Sequence, residues 1–344
     1  MKRSRNASLK GYNSFAVEAR AAHLVQVEST ADLEEIAAEH RFDPGRDLLL
    51  GGGSNVLLAG DIDGYVVVNR VTGVRIVSEA DDEVLVEAGG GENWHRLVLW
   101  SLDEGLCGLE NLSLIPGLAG AAPIQNIGAY GVELSDVFDS VQTLDLQSGD
   151  FRTFSNEECR FAYRDSYFKT PPAHCLMITG IRLRLQRQFV PVLDYGGLAE
   201  ELFSAGQLQP TAKQVSEAVI RIRRRKLPDP GATPNAGSFF KNPVVSQSRA
   251  QALQQSFPQL PVFPQAGGMC KLGAAWMIER CGFKGRRKGD AGVSGKHALV
   301  LVNHGNASGR QVLALAGTIA EAVRQRFGVR LETEPKIIGA DRAG

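Results

Sequence analysis

An excess of charge of either sign is missing from this chain. Lys and Arg together number 38, Asp and Glu together also 38, so the formal net charge is zero. Nothing in the bulk charge would hold a polyphosphate backbone, and nucleic acid is not an expected partner. Long apolar runs are missing too. Ala298–Val302 is among the longest, far short of the roughly 18 or more residues of a membrane span, and no membrane partner is expected. The basic Met1-Lys2-Arg3-Ser4-Arg5 is not followed by an apolar stretch, so a secretory signal is not expected. Cysteine is scarce: Cys107, Cys159, Cys175, Cys270 and Cys281 are odd in number, widely spaced and contain no C-x-x-C pair. Free thiols in a reducing cytoplasm are the expectation. The six histidines form no H-x-x-x-H or H-E-x-x-H array, and no metal site is expected.

What the chain has is length, an ordinary core and glycine. Its 344 residues exceed the roughly 250–300 at which a single core stops growing, so two or three domains are expected. Hydrophobic residues make up 43% and charged residues 22%, a globular balance that excludes disorder as the main state. The 38 glycines cluster after apolar strands, as in Leu48-Leu49-Leu50 before Gly51-Gly52-Gly53 and Val84–Ala88 before Gly89-Gly90-Gly91. Ser29 before Thr30-Ala31-Asp32 reads as a helix start. Trp94, Leu97, Val98 and Leu102 have near-helical spacing in Glu92–Leu102. Val137–Leu146, a Gln147-Ser148-Gly149-Asp150 turn and Phe151–Phe154 read as a hairpin, and Met177–Leu185 as a strand. Ala212–Arg225 reads as a helix stopped by Pro228 and Pro230. A long helix is expected at about Gly309–Phe327, then strands at Val329–Glu332 and Lys336–Ile338. The whole is α+β with mixed sheets rather than strict βαβ alternation.

Five segments carry chemistry. Gly51-Gly52-Gly53-Ser54-Asn55 exposes successive backbone N–H groups, a concavity that suits a pyrophosphate; a tight glycine turn would look the same. Ser113–Gly131 combines small residues, which let a flat ligand approach, with Gln125, Asn126 and Tyr130. In Phe161–Lys169, Arg164 lies among aromatics, where a guanidinium can grip a carboxylate, although a structural pair with Asp165 is as good a reading. In Asn235–Pro243, Ser238 follows Gly237 and precedes two phenylalanines, without the G-x-S-x-G of a serine hydrolase; it reads as a capping hydroxyl or as a proton donor in an apolar pocket. Glu334 stands before Pro335, where a solvated edge residue is the ordinary reading.

Taken together and in this order, from about Ser14 to about Gly339, these segments resemble the UDP-N-acetylenolpyruvoylglucosamine reductase family, also called UDP-N-acetylmuramate dehydrogenases. The resemblance implies an FAD-binding fold of the vanillyl-alcohol-oxidase type in two α+β subdomains, with a C-terminal α/β substrate-binding domain. The implied boundaries are 1–70 with 327–344, 71–213, and 214–326. It implies noncovalent FAD, NADPH as hydride donor, and reduction of UDP-N-acetylglucosamine enolpyruvate to UDP-N-acetylmuramate in peptidoglycan synthesis. By the same resemblance Arg164, Ser238 and Glu334 are catalytic. Gly51, Gly52, Gly53, Ser54, Asn55, Ile115, Pro116, Gly117, Gly120, Ile124, Gly128, Tyr130 and Arg223 would hold FAD. Tyr195, on the loop that marks the type I subfamily, would meet the substrate together with Lys226, Asn242 and His297. His297 stands where relatives often have Gln, and Ser14 where Thr is common. A cytoplasmic monomer is expected.

Two other readings fit parts of the pattern. An FAD oxidase of the same fold often tethers its flavin through His or Cys near the pyrophosphate loop, and Gly51–Leu58 has neither. A non-catalytic nucleotide-sugar-binding module would be expected to lack Arg164, Ser238 or Glu334, and all three are present.

Overall fold

The computed structural model describes residues 1–195 and 197–340. Residues 341–344 of the expected first subdomain, and Gly196 beside Tyr195, lie outside the described residues. Its contacts divide the chain into two units, each assembled from separated segments.

The first unit comprises Met1–Ala7, Ala21–Gly53 and Ile62–Arg224. A four-stranded sheet runs in the order Lys2–Ser8, Arg20–Val27, Ile62–Asn69, Leu48–Leu50. Ile62–Asn69 lies parallel to both of its neighbours. Such a strand is covered on both faces, and Val66, Val67 and Val68 are fully buried. The helix Thr30–Glu39 packs Leu33 and Ile36 against Val25, Val27 and Val67. Its start is the expected one, with Ser29 accepting the Asp32 N–H. The second sheet is antiparallel, in the order Phe151–Ser155, Phe138–Asp145, Leu176–Gln186, Glu83–Gly89, Val74–Ala80. Alternation in Glu83–Gly89 sends Val84, Val86 and Ala88 into a core shared with Trp94, Leu97 and Val98 of the helix Trp94–Asp103. Ala212–Lys226 continues one residue past the expected end and packs Val215, Ala218, Val219 and Ile222 on Leu198 and Leu202.

The second unit comprises Ser8–Arg20, Ser54–Asp61 and the described residues from Arg225 onward. Its main sheet runs Asn235–Ser238, Val300–Asn303, Ala291–Val293, Arg287–Lys288, all antiparallel. The 19-residue helix Gly309–Phe327 has the expected bounds and opens on a capping box of Ser308 and Gln311. The short strand Lys336–Ile338 pairs in parallel with Val56–Leu58. The expected strand Val329–Glu332 is absent. A single bridge from Thr333 to Phe240 stands there instead, because the backbone pairs residue by residue around Phe239–Lys241 and not along a regular ladder. Among the described residues no helix is long and apolar enough to cross a membrane.

Candidate active site

The expected site residues fall into two sets, one in each unit. In the first unit the glycine runs bring backbones together. The Gly120 N–H bonds to the Gly90 carbonyl at 2.9 Å, and the Gly90 N–H to that of Thr179 at 2.7 Å. A Cβ on Gly120 would lie 2.9 Å from Gly90 and 3.1 Å from the Ile178 carbonyl oxygen, so only glycine fits. A Cβ on Gly52 would stand 3.4 Å from the Cα of Gly117. The segments 51–53 and 117–120 therefore lie backbone to backbone. Ile115 packs on the core, followed by Pro116, and the Ile124 carbonyl accepts the Ser166 hydroxyl at 2.8 Å.

Arg164 sits on a strained support. It and Asn126 both occupy the left-handed region, with φ of 54° and 43°, a conformation side chains adopt at a cost and which concentrates at functional sites. Its guanidinium donates from Nη1 to the Asn126 carbonyl at 3.3 Å and from Nη2 to that of Gly128 at 2.6 Å. Two backbone carbonyls thus fix the plane of the fork. The neighbouring Asp165 carboxylate accepts the N–H of Ser166 at 3.0 Å.

Arg223 shares the surroundings of Arg164 and Tyr130. Burial lowers its pKa, the Tyr130 phenol opposes that, and Arg164 adds to it. Its Nε is buried with no hydrogen-bond acceptor among the described residues. A buried donor on a cation is costly to leave unmade, so this geometry asks for an anionic oxygen. Tyr130, itself left-handed at φ 50°, lends its carbonyl to the Asn111 amide at 2.7 Å, and the same amide reaches the Val192 carbonyl at 2.9 Å. The Tyr195 ring lies edge-on to Tyr130 at 6.3 Å and is 45% exposed, so the expected lid residue is within reach of solvent.

His95 went unnoticed in the sequence. Its Nδ1 accepts the Leu114 N–H at 3.0 Å, beside the segment expected to hold FAD. A histidine one residue into a helix has no pattern of its own, and only the fold reveals the partner.

In the second unit Ser238 ends a strand that pairs with Val300–Asn303 through an irregular register. Phe239 and Phe240 are buried behind it. The Phe239 N–H bonds to the Leu299 carbonyl at 2.8 Å, and the Phe239 carbonyl accepts the Glu334 N–H at 2.9 Å. Ser238 and Glu334, nearly a hundred positions apart in sequence, thus stand on adjoining backbones. Asn55 follows Ser54 into this unit, where its amide reaches the Glu334 carbonyl at 3.4 Å. Asn242 accepts the Ala274 N–H at 3.0 Å. His297 accepts the Leu299 N–H at 3.3 Å. Burial, then Lys226 and Lys284, hold its pKa below the ordinary range, with Glu279 opposing. Lys226, Lys284 and His297 form a donor-rich, cationic neighbourhood suited to an anion.

Among the described residues no group of three His, Cys, Asp or Glu side chains could hold a metal. The residues present do fit a dinucleotide: close-packed glycine backbones and a buried arginine Nε lacking an acceptor.

Comparison with known proteins gives the same reading. Residues 21–155 match the FAD binding domain family and residues 229–338 match the C-terminal domain of UDP-N-acetylenolpyruvoylglucosamine reductase. The chain is 52% identical to the UDP-N-acetylenolpyruvoylglucosamine reductase of Pseudomonas aeruginosa over 96% of its own length and 98% of that protein's. It is 49% identical to the Chromobacterium violaceum protein of the same name, over 97% and 98%. The crystal structure of the Thermus caldophilus reductase aligns with a TM-score of 0.67 at 26% identity, covering 98% of each chain. A 6-hydroxy-D-nicotine oxidase from Arthrobacter nicotinovorans aligns at 0.50 with 14% identity, over 91% of this chain and 82% of that one, and shares the fold alone. The chain therefore belongs to the UDP-N-acetylenolpyruvoylglucosamine reductase family.

Proposed function

We propose that this chain reduces UDP-N-acetylglucosamine enolpyruvate to UDP-N-acetylmuramate with NADPH and noncovalent FAD, in peptidoglycan precursor synthesis, and that Arg164, Ser238 and Glu334 carry the reaction. The observation that supports the residue roles best is the backbone link through Phe239, which brings the backbone of Glu334 alongside that of the residue next to Ser238. The chemistry FAD supplies when bound is hydride transfer, from NADPH to C3 of the enolpyruvyl group.

As C3 gains hydride, negative charge moves toward C2 and the substrate carboxylate. Donors already aimed at that charge lower the barrier without reorganising. Arg164 answers this need, because a guanidinium is a planar cation that matches a carboxylate and two carbonyls fix its plane. Glu334 polarises the same carboxylate. Ser238 delivers the proton to C2. A hydroxyl is a weak acid, but a carbanion-like carbon is far more basic than water, and the buried phenylalanines behind Ser238 keep solvent from competing.

FAD would be held by Gly51, Gly52, Gly53, Ser54, Asn55, Ile115, Pro116, Gly117, Gly120, Ile124, Gly128, Tyr130 and Arg223, the last giving its Nε to a phosphate oxygen. Tyr195, Lys226, Asn242 and His297 would meet the UDP-sugar, with Lys226 on the diphosphate. The division into 1–70 with 327–344, 71–213 and 214–326 describes these roles and is part of the proposal, as are a cytoplasmic location, the monomeric state and the absence of nucleic-acid and membrane partners.

The test is optical. Purified protein should be yellow, bleach with NADPH, and recolour on adding the enolpyruvyl UDP-sugar without oxygen. Bleaching that the UDP-sugar leaves unreversed would sink the assignment.

A further inference from the structure

The segment 113–118 is laced to the start of the helix Trp94–Asp103 at several points. The Trp94 indole donates to the Leu112 carbonyl at 3.0 Å, and the Trp94 N–H to that of Gly117 at 3.1 Å. Asn93 bridges to Leu118, and the Ala119 N–H reaches the Glu92 carbonyl at 2.8 Å. On the far side the buried Ser113 hydroxyl meets that of Ser216 at 2.8 Å. Between these fasteners Leu114 is bent into the left-handed region at φ 59°, a strained position for a branched side chain. What holds it is the bond from its N–H to His95 Nδ1 at 3.0 Å.

Among these fasteners His95 is the one that titrates. An amide N–H can only donate, so Nδ1 must be bare to receive it; a protonated ring would present a hydrogen to a hydrogen. We propose that His95 is a positioning residue and a pH-sensitive clasp for this segment: neutral, it holds Leu114 and the cofactor-facing turn behind it; protonated, it lets go, and FAD is released faster. This rests on the reading of Ile115, Pro116 and Gly117 as part of the FAD seat.

The electrostatics run in the same direction. Burial lowers the His95 pKa most, followed by Arg224 and Arg223 of the helix Ala212–Lys226. Residues 113–118 contribute no ionisable side chain. The clasp is therefore closed at neutral pH. The loosened segment would take up a proton at the ordinary imidazole value of about 6.5. Its contribution is full above that value and is lost as pH falls through it toward the lowered value of the held ring. Arg223 has a double bearing. It offers its Nε to the cofactor and helps keep the clasp neutral, so an anion seated on Arg223 would screen it and let His95 protonate more easily.

The experiment follows FAD release from the purified, FAD-bound protein by the rise of free-flavin fluorescence. The parent should release FAD about tenfold or more faster at about pH 5.5 than at about pH 8, the size of one lost buried hydrogen bond with a clash added. In His95→Asn, Oδ1 takes the place of Nδ1 and does not titrate. Its release should stay slow and nearly flat across that range. In His95→Leu the Leu114 N–H has no acceptor, and release should be fast at every pH. A parental acid slope in His95→Asn would overturn the clasp while leaving the cofactor seat standing. Slow, parental release from His95→Leu at about pH 8 would instead overturn the placement of the cofactor on this segment, and the inference with it.

Discussion

The carbonyl of Phe239 accepts the backbone N–H of Glu334 at 2.9 Å. That bond ties the backbone carrying Glu334 to the residue that follows Ser238, without any flexible side-chain contact. A site fixed this way should lose chemistry without losing shape when one side chain is trimmed.

Ser238→Ala is the direct case. Turnover should fall by about 10²–10⁴-fold, the usual cost of a missing general acid. Bleaching by NADPH needs no proton at C2 and should continue at the parental rate. Rapid mixing of bleached protein with the UDP-sugar reads the loss. Recolouring at parental speed would show that the proton comes from another group.

Arg164→Lys keeps the charge and loses the fork. Lysine cannot span the Asn126 and Gly128 carbonyls and face a carboxylate plane at once. Turnover should drop roughly 10²–10³-fold, as when a transition-state donor is removed. Steady-state kinetics with wild-type-like activity would remove the guanidinium from the reaction.

Gly120→Ala places a Cβ 2.9 Å from the Gly90 backbone. Neither backbone can move away freely, so stability should fall by about 1–3 kcal/mol. Thermal melts with and without added FAD measure it. An unchanged melting temperature would mean that the stacked glycines are looser than this geometry.

Acid should act through His297 as well. Its ring is held neutral by burial, with Lys226 and Lys284 adding to the effect. Unfolded chain protonates at about 6.5, so the stability that depends on the neutral ring is present above that pH and is lost below it. His297→Gln should therefore lose less melting temperature on acidification than the parent. Parallel losses would count against a neutral native ring.

Tyr195→Phe tests the exposed ring beside Tyr130. Removing one hydroxyl should weaken UDP-sugar binding by about 0.5–1.5 kcal/mol with little change in kcat. Calorimetric titration giving an unchanged Kd would take Tyr195 out of substrate capture.

The elements written in local periodicity could be read before the fold was seen. Ser29 opens its helix as its residue type suggests, and Gly309–Phe327 has the expected limits. What could not be read depends on chain segments meeting across long separations. Val329–Glu332 has strand composition, yet its backbone pairs with neighbours of Ser238 by isolated bonds and forms no ladder. The motifs around Arg164 and Ser238 could be singled out from residue types, but not that Arg164 would be left-handed and anchored on carbonyls, nor that Arg223 would lie near it. His95 carried no mark at all, because its partner is a backbone N–H, and backbone groups are the same at every position.

The pairing of Lys336–Ile338 with Val56–Leu58 also bears on how the protein is made. A ribosome delivers residues 56–58 early and 336–338 some 280 residues later, so the first strand must wait, unpaired, through most of translation. Glu334 lies just ahead of the late strand. Nascent chains that have not yet exposed that stretch lack Glu334 as well as the partner strand. A stalled or prematurely released product would present an open strand edge to chaperones and proteases.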